Sequence, residues 1–294
     1  MSNRYYIGVD AGGSKCRARL VDAKGSVVGH AETGPATIRR GADFAANSII
    51  TCIDGAVTSS GLGADVTQNA AIVVGAAGTE SSSETNLMLK KLHTAFGGNI
   101  TVVSDAKTAC IGAHGGRDGG IVIVGTGSIG YGLTSGKTFR VGGFGFPVSD
   151  LGSGAHIGLA AVQHALTFIG SAQQQTSFAA AILAKVGATS SQVAAWTKGA
   201  TATDYAGFAP MVVAHAEEDD QPANKILTIA AGHISDLVEA IRNQGAERIS
   251  LMGGLSKIIF PLIKPNIQTC LTPPEGDAID GAIILARSAE KQQT

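Results

Sequence analysis

Short apolar runs separated by glycine-containing turns occupy the first third of the chain, and amphipathic stretches lie between them. In 82–96, the apolar residues recur at roughly helical spacing, at Leu87, Leu89, Leu92 and Phe96. The pattern up to residue 115 therefore predicts five strands and three helices. The predicted strands cover 5–10, 16–22, 26–32, 69–75 and 99–105, and the predicted helices cover 41–60, 82–96 and 106–115.

The same order of strands and turns returns at residue 119. The stretch "GGIVIVGTGSIGYGLTSGKTFRVGG" follows the rhythm of "YYIGVDAGGSKCRARLVDAKGSVVG", about 115 residues earlier, although few residues match. Residues 150–243 predict mostly helices, 247–256 predict a strand with a glycine turn, and 277–292 predict a closing helix. This repeat predicts an α/β fold with two related halves that meet over a cleft.

Composition excludes several classes of protein. A chain of 294 residues fits two domains, and 44% hydrophobic with 15% charged residues indicates a globular protein. A net charge of −1 argues against nucleic-acid binding. The residues "MSNRYYIGVD" are not expected to act as a signal peptide, and no apolar run has the length of a membrane span. Four scattered cysteines without a CxxC pair predict buried thiols in a reducing cytoplasm. The seven histidines show no metal-binding spacing and are predicted to be surface or capping residues.

Three predicted strands run directly into glycine turns, at Asp10–Lys15, Gly125–Ser128 and Met252–Ser256. Each turn alone is weak evidence for a site. Together they predict backbone nests whose N–H groups hold a polyphosphate, and Thr126 and Ser128 add hydroxyl donors. A structural turn does not require an acid, so Asp10 at the start of the first turn indicates an anion that carries a metal. Neither a GxxxxGK[ST] P-loop nor a GxGxxG that opens a helix is present.

The motifs "VDAGGSK", "VVSDAKTACIGAH", "VIVGTGSIGYG", "DLGSG", "LMGGLS" and a late "DGA" occur in this order. The set resembles the actin-like sugar kinase superfamily, and within it the N-acetylglucosamine and glucosamine kinases of the BadF/BadG/BcrA/BcrD-type ATPases. The resemblance runs from residue 5 to near residue 288. It implies duplicated RNase H-like lobes over 1–117 and 118–294, the second with a helical insertion, and a 277–292 helix that packs back on the first. It also implies ATP-dependent phosphorylation of N-acetylglucosamine or glucosamine to the 6-phosphate.

The resemblance also implies roles for individual residues. Asp10 would organise Mg²⁺ through water, and Asp105 would be the catalytic base at the sugar hydroxyl. The nucleotide would be bound by Gly12, Gly13, Ser14 and Lys15 in the first turn, by Gly125, Thr126, Gly127 and Ser128 in the second, and by Gly253 and Gly254 at the adenosine. The amino sugar would be bound by Thr37, Gly78 and Thr79 of the loop at 75–80, and by Asp105, Asp150 and Ser153.

Phosphoryl transfer independently requires these groups: a metal, donors around the phosphates and a carboxylate near the attacking hydroxyl. Two structural alternatives stay open, because aspartate is also a common helix cap. Asp105 could cap the 106–115 helix, and Asp150 could cap a helix near Ser153. Thr37 and Leu151 stand where the family usually has asparagine and glutamate, so the choice between the two sugars stays open.

Two other functions also remain possible at this stage. One is an ATPase activator of a radical dehydratase or reductase that holds an iron–sulfur cluster through cysteines such as Cys110 or Cys270. The other is a sugar-sensing regulator, for which the sequence leaves no room for a helix-turn-helix ahead of residue 7. The apolar helices at 159–169 and 226–241 could supply the interface of the homodimer that the family implies.

Overall fold

Two β-sheets organise the chain in the computed structural model, which describes residues 4–79 and 82–291. The strands are β1 (Tyr5–Ala11), β2 (Cys16–Asp22), β3 (Val27–Thr33), β4 (Ala71–Ala76), β5 (Ile100–Ser104), β6 (Gly119–Val124), β7 (Ser128–Thr134), β8 (Lys137–Gly142) and β9 (Ile249–Met252). The helices are α1 (Ala42–Ser60), α2 (Val66–Asn69), α3 (Ser82–Phe96), α4 (Asp105–Ala113), α5 (Gly154–Leu166), α6 (Ser177–Val186), α7 (Ser190–Gly199), α8 (Ala202–Ala206), α9 (Ala209–Glu217), α10 (Gln221–Asn243), α11 (Ser256–Ile259), α12 (Pro265–Gln268) and α13 (Ala278–Lys291). Short 3-10 helices cover Ile38–Arg40 and Phe260–Leu262.

The chain divides into two compact units. The first unit runs up to Gly119, takes in Leu133–Thr138 and resumes at Pro273, whereas the second comprises Gly120–Gly132 and Phe139–Thr272. The C-terminal helix α13 therefore belongs to the first unit.

The first sheet has the order β3-β2-β1-β4-β5. Strand β1 is antiparallel to β2 and parallel to β4, which is in turn parallel to β5. In this register Ala11 lies opposite Ala76, and Ala76 lies opposite Ser104. Because parallel strands end at the same edge, the segments after β1, β4 and β5 emerge side by side, which is where open α/β sheets bind ligands.

Helices cover both faces of the first sheet, because successive side chains of a strand point to opposite sides. Ile7 and Val9 of β1 belong to the buried cluster that contains residues of α1 and α3, whereas Tyr6 belongs to the cluster with α13. Helices α4 and α13 cross at two glycines. A Cβ on Gly112 would lie 1.9 Å from the Asp277 carbonyl oxygen, so only glycine allows this close approach.

The second sheet repeats part of this topology. Its order is β8-β7-β6-β9, with β6 and β9 parallel. A single parallel bridge between Ile249 and Leu271 lies beside β9, where β5 lies beside β4 in the first sheet. Val122 of β6 shares one core with Ile157, Phe178 and Ile234 of the inserted helices. The predicted α/β class and repeated strand order are confirmed.

Element boundaries agree closely with the sequence pattern, with one informative difference. The strand predicted over 99–105 ends at Ser104, and Asp105 begins α4. Among the described residues, no single helix combines the length and apolar character needed to cross a membrane. In the same part of the chain, α6 and α7 taken together have the length and apolar composition of a membrane span, but they are bent by 66° at the break between them.

Candidate active site

The end of β1 holds two loops of the first unit in place. The carbonyl oxygen of Ala11 accepts a hydrogen bond from the Ala77 N–H at 3.0 Å, and that of Gly12 accepts one from the Ala36 N–H, also at 3.0 Å. The first glycine turn, the predicted sugar loop and the segment after β4 are therefore joined by backbone bonds at one edge of the sheet.

The first glycine turn is closed by its own backbone and exposes its tip. The Gly12 N–H donates to the Lys15 carbonyl at 2.9 Å, and Gly13 and Ser14 are exposed. The Lys15 ammonium group lies 3.1 Å from the Glu32 carboxylate. Since both of these side chains are more than half exposed, this pair contributes little to stability.

Asp10 lies on β1 directly opposite Arg17 on β2. The Arg17 Nη2 donates to Asp10 Oδ2 at 2.7 Å, and its Nη1 donates to Asp277 Oδ2 at 3.2 Å. Burial alone would lower the pKa of Arg17, but the hydrogen bond and charge of Asp10, with the charges of Asp277 and Glu32, raise it. The carboxylate predicted to face the metal is thus held by a permanently charged neighbour.

Asp105 lies in the first turn of α4, immediately beyond β5, and is half-buried. The cap of this helix is Ser104, whose hydroxyl accepts a hydrogen bond from the Lys107 N–H at 3.3 Å. Asp105 Oδ1 accepts from the adjacent Ala106 N–H at 2.8 Å. The capping role that the sequence left open for Asp105 therefore belongs to Ser104.

The predicted sugar loop is anchored through Thr37. Its hydroxyl donates to the Ala77 carbonyl at 3.3 Å and accepts from the Arg39 N–H at 3.4 Å. Gly78, at φ +89°, packs so closely on Arg39 that a Cβ would lie 3.1 Å from its Cγ. The structure thus joins the loop around Thr37 to the segment of Ala77 and Gly78, and Thr79 follows in that segment. Glu80, the last residue of this predicted loop, lies outside the described residues.

The second glycine turn packs against the start of α5 in the second unit. The Gly125 N–H donates to the Gly127 carbonyl at 2.9 Å. The carbonyls of Gly125 and Thr126 accept from the N–H groups of Gly154 and Ala155 at 2.8 and 3.1 Å. These bonds fix the turn and leave the Thr126 side chain exposed.

The third glycine turn lies against the end of β6. Gly253 has φ +93°, and a Cβ there would lie 2.4 Å from the Val124 carbonyl oxygen. The same carbonyl accepts from the Leu255 N–H at 3.1 Å, and Gly254 is exposed. The second and third turns therefore adjoin at the carboxyl ends of β6 and β9.

Asp150 adopts φ +61° in the loop before α5. Its Oδ1 accepts from the Gly145 N–H at 3.1 Å, and its Oδ2 lies 2.5 Å from where a Cβ on Gly127 would stand. The Ser153 hydroxyl caps α5 by accepting from the His156 N–H at 3.2 Å. Asp150 is therefore not the helix cap, and its carboxylate lies against the second glycine turn.

Two predicted ligand residues of this loop are buried. Ser153 is 0% exposed, and Ser128, which is 3% exposed, donates its hydroxyl to the Leu151 carbonyl at 2.8 Å. We therefore assign both side chains to support of the Asp150 loop.

A histidine pair that the sequence pattern does not predict lies under the same loop. The Gly152 N–H points to His156 Nδ1 at 3.3 Å, and the His156 and His233 rings meet edge to face with centroids 5.3 Å apart. Burial, with a contribution from His233, lowers the pKa of His156. A cavity of 210 Å³ lined by His233, Asp150 and Asp236 lies beside this pair. In the sequence, the only signal of this histidine pair is the four-residue spacing of Gly152 and His156, which is too common to be specific.

The donor set of the first unit fits a magnesium ion that is bound together with a nucleotide. In residues 4–79 and 82–291, no group of three or more His, Cys, Asp or Glu side chains could enclose a metal ion. Magnesium keeps several waters and binds through one or two carboxylates and substrate phosphates, which Asp10 could satisfy.

The cysteines do not resemble cluster ligands. Cys110 is 0% exposed, donates its thiol to the Gly119 carbonyl at 3.3 Å, and has a pKa raised to about 12 by burial. A thiol that remains protonated is a poor metal ligand. Cys16 and Cys52 are also buried, as predicted, whereas Cys270 is partly exposed.

Comparisons with known proteins decide the family. The model of the BadF/BadG/BcrA/BcrD ATPase family matches residues 7–286. The chain belongs to this ATPase family. It is 35% identical over 286 residues to glucosamine kinase GspK of Vibrio cholerae serotype O1, covering 97% of each chain. It is 28% identical over 259 residues to N-acetyl-D-glucosamine kinase of Dictyostelium discoideum, covering 82% of this chain and 80% of that one.

Solved structures of relatives agree with this family assignment. A crystal structure from Chromobacterium violaceum, of a protein provisionally named an N-acetylglucosamine kinase, matches with TM-score 0.86 and 30% identity. The match covers 97% of this ATPase-family chain and all of that one. Family membership confirms the resemblance drawn from the motifs and implies that the nucleotide is ATP.

Proposed function

We propose that this protein transfers the γ-phosphoryl group of ATP to the 6-hydroxyl of an amino sugar, with Mg²⁺ as cofactor. The observation that carries the proposal is the 35% identity, over 97% of both chains, to a relative named glucosamine kinase. The position of Asp105 at the end of β5, beside the ends of β1 and β4, supports it.

In the proposed reaction, Asp105 accepts the proton of the attacking sugar hydroxyl. Its half-buried position in the first turn of α4, with helix capping left to Ser104, leaves the carboxylate at the sheet edge where ligands bind. A positioned carboxylate of this kind contributes about 10²–10⁴-fold to rate.

The two glycine turns and Asp10 would provide for the charge of the triphosphate. Gly12, Gly13, Ser14 and Lys15 of the first turn and Gly125, Thr126 and Gly127 of the second would be phosphate ligands, with Gly253 and Gly254 at the adenosine, whereas buried Ser128 would support the second turn. Bound Mg²⁺ would offset negative charge on the phosphates. Asp10 would hold its hydrated form, because it offers a single oriented carboxylate.

Thr37, Gly78, Thr79 and Asp150 are the proposed sugar ligands, as the family resemblance implies. We propose glucosamine as the preferred acceptor, because the relative with that name matches at 35% identity over nearly the whole chain. A site built to bond one of the two sugars, glucosamine or N-acetylglucosamine, should reject the other strongly.

A sugar panel tests this function. ADP release with glucosamine, N-acetylglucosamine and glucose should be fastest with glucosamine, and nuclear magnetic resonance of the product should place the phosphate on carbon 6. Sugar-independent ATP hydrolysis with no phosphorylated product from any acceptor would refute the kinase proposal.

We further propose a cytoplasmic homodimer. The cysteines of the described residues are all free, which fits a reducing compartment. Ile229 of α10 is 47% exposed on one of the helices predicted to form the interface. Light scattering of the purified protein should give twice the chain mass of 29.6 kDa.

A further inference from the structure

Arg17 joins two acidic residues from distant parts of the first unit. Its Nη2 donates to Asp10 Oδ2 on β1 at 2.7 Å, and its Nη1 donates to Asp277 Oδ2 at the start of α13 at 3.2 Å. The three side chains are 20–36% exposed, so solvent screens them only in part.

Asp277 connects this pair to the helix that packs on α4. Its Oδ1 accepts from the Ile279 and Asp280 N–H groups at 2.9 and 3.1 Å, which caps α13. Helix α13 crosses α4, whose first residue is Asp105, at the close glycine contact. Arg17 thus links the carboxylate of Asp10 to the helices that support Asp105.

Anchoring of α13 does not by itself explain the geometry of Arg17. Arg19, two residues along the same strand, already pairs with Asp280 and approaches Asp277 at 3.9 Å without contacting Asp10. Arg17, by contrast, divides its two terminal nitrogens between two carboxylates, while its buried Nε has no hydrogen-bond partner. Leaving a buried donor unpaired is costly, so another benefit should offset it.

We propose that Arg17 is a positioning residue that holds Asp10 for a metal bound together with the nucleotide and, through its charge, keeps this carboxylate from binding a bare divalent cation. The proposal rests on the proposed function, because it takes Asp10 as the carboxylate that faces the metal. A fixed guanidinium occupies one oxygen of Asp10 and repels a cation that lacks compensating phosphate charge.

Binding of bare Mn²⁺, followed by electron paramagnetic resonance of the free ion without nucleotide, tests the charge effect. Arg17→Met removes the cation while keeping a long side chain, and should tighten Mn²⁺ binding by about tenfold. Turnover with saturating Mg·ATP should fall by about tenfold or more, because Asp10 is no longer held. A merely structural role for Arg17 predicts lower thermal stability and no gain in metal affinity.

Two other variants separate charge, geometry and stability. Arg17→Lys keeps the charge but offers a single nitrogen, so Mn²⁺ affinity should stay within about twofold of wild type while turnover falls. Arg19→Met is the matched control, since it loosens the same helix end without contacting Asp10. It should lower the melting temperature and leave Mn²⁺ affinity within about twofold of wild type.

The double variant Asp10→Asn/Arg17→Met should lose the Mn²⁺ affinity gained in Arg17→Met. The proposal is overturned if folded Arg17→Met binds Mn²⁺ no tighter than wild type, or if the double variant keeps the gain. Failure of the wild type to phosphorylate any sugar would contradict the proposed function only, and the Mn²⁺ results would still support the coupling of Arg17 to Asp10.

Discussion

The two glycine turns that follow β1 and β6 occupy similar places in their sheets and are both closed by backbone hydrogen bonds, but their surroundings differ. The first is bordered by charged groups, with Asp10 paired to Arg17 and Lys15 to Glu32. The second is held by neutral bonds, including those from Gly154 to Gly125 and from Ser128 to Leu151.

In the proposed function, the two units carry different reactive groups. The first unit carries Asp10 and Asp105 at the ends of its parallel strands, whereas β6 and β9 of the second unit end in glycine turns. In the proposed function, Asp10 and Asp105 of the first unit serve the metal and the attacking hydroxyl, whereas the second unit carries the turn donors and Asp150. We expect variants of the first unit to affect the chemical step and variants of the second to affect binding.

The largest effect should come from Asp105→Asn. Loss of the proton acceptor should lower kcat by about 10²–10⁴-fold and leave ATP binding nearly unchanged. Steady-state kinetics and calorimetric titration with an ATP analogue measure the two quantities. The control is Asp43→Asn on α1, which removes an exposed ion pair with Lys91 of α3 and should retain activity. Near-normal kcat in Asp105→Asn would remove the catalytic assignment.

A smaller effect is expected from Gly127→Ala in the second turn. The added Cβ would stand 2.5 Å from Asp150 Oδ2, so the carboxylate must move. We expect KM for the sugar to rise by about tenfold with a lesser change in kcat, since about 1.4 kcal/mol of binding would be lost. Gly232→Ala in α10 is the control, because a Cβ there would meet no atom within 4 Å. A fall confined to kcat would break the proposed division between the units.

The smallest expected effect is a dependence of stability on pH, through His156 of the second unit. His156 accepts the Gly152 N–H in its neutral form, and its pKa in the folded protein lies below the ordinary value of 6.5. The unfolded chain therefore binds the proton more readily, so stability should fall as pH drops through 6.5 towards the folded-state pKa. Between pH 7.5 and pH 5.5, the melting temperature should fall by roughly 1–3 °C more in wild type than in His156→Gln. An equal fall in melting temperature in both proteins would exclude His156 as the source of the pH dependence.

Much of the fold could be predicted because the signals are local. The apolar run in "YYIGVD" and the glycines after it specify β1 and its turn, and the repeat at residue 119 indicates the second sheet. Membership of the ATPase family was also predictable from the ordered motifs. The helix caps were less predictable, because Ser104 and Asp105 are both favourable caps and only the backbone conformation selects Ser104.

The sequence by itself determined the order of strands, turns and helices and placed Asp10 and Asp105 at strand ends, since side-chain periodicity and turn chemistry act over a few residues. Only the tertiary structure decided that Arg17 joins Asp10 to Asp277, that Asp150 lies against Gly127 and that His156 supports Gly152. The first two pairings connect residues far apart in the chain, and all three depend on side-chain direction and burial, which no local pattern encodes.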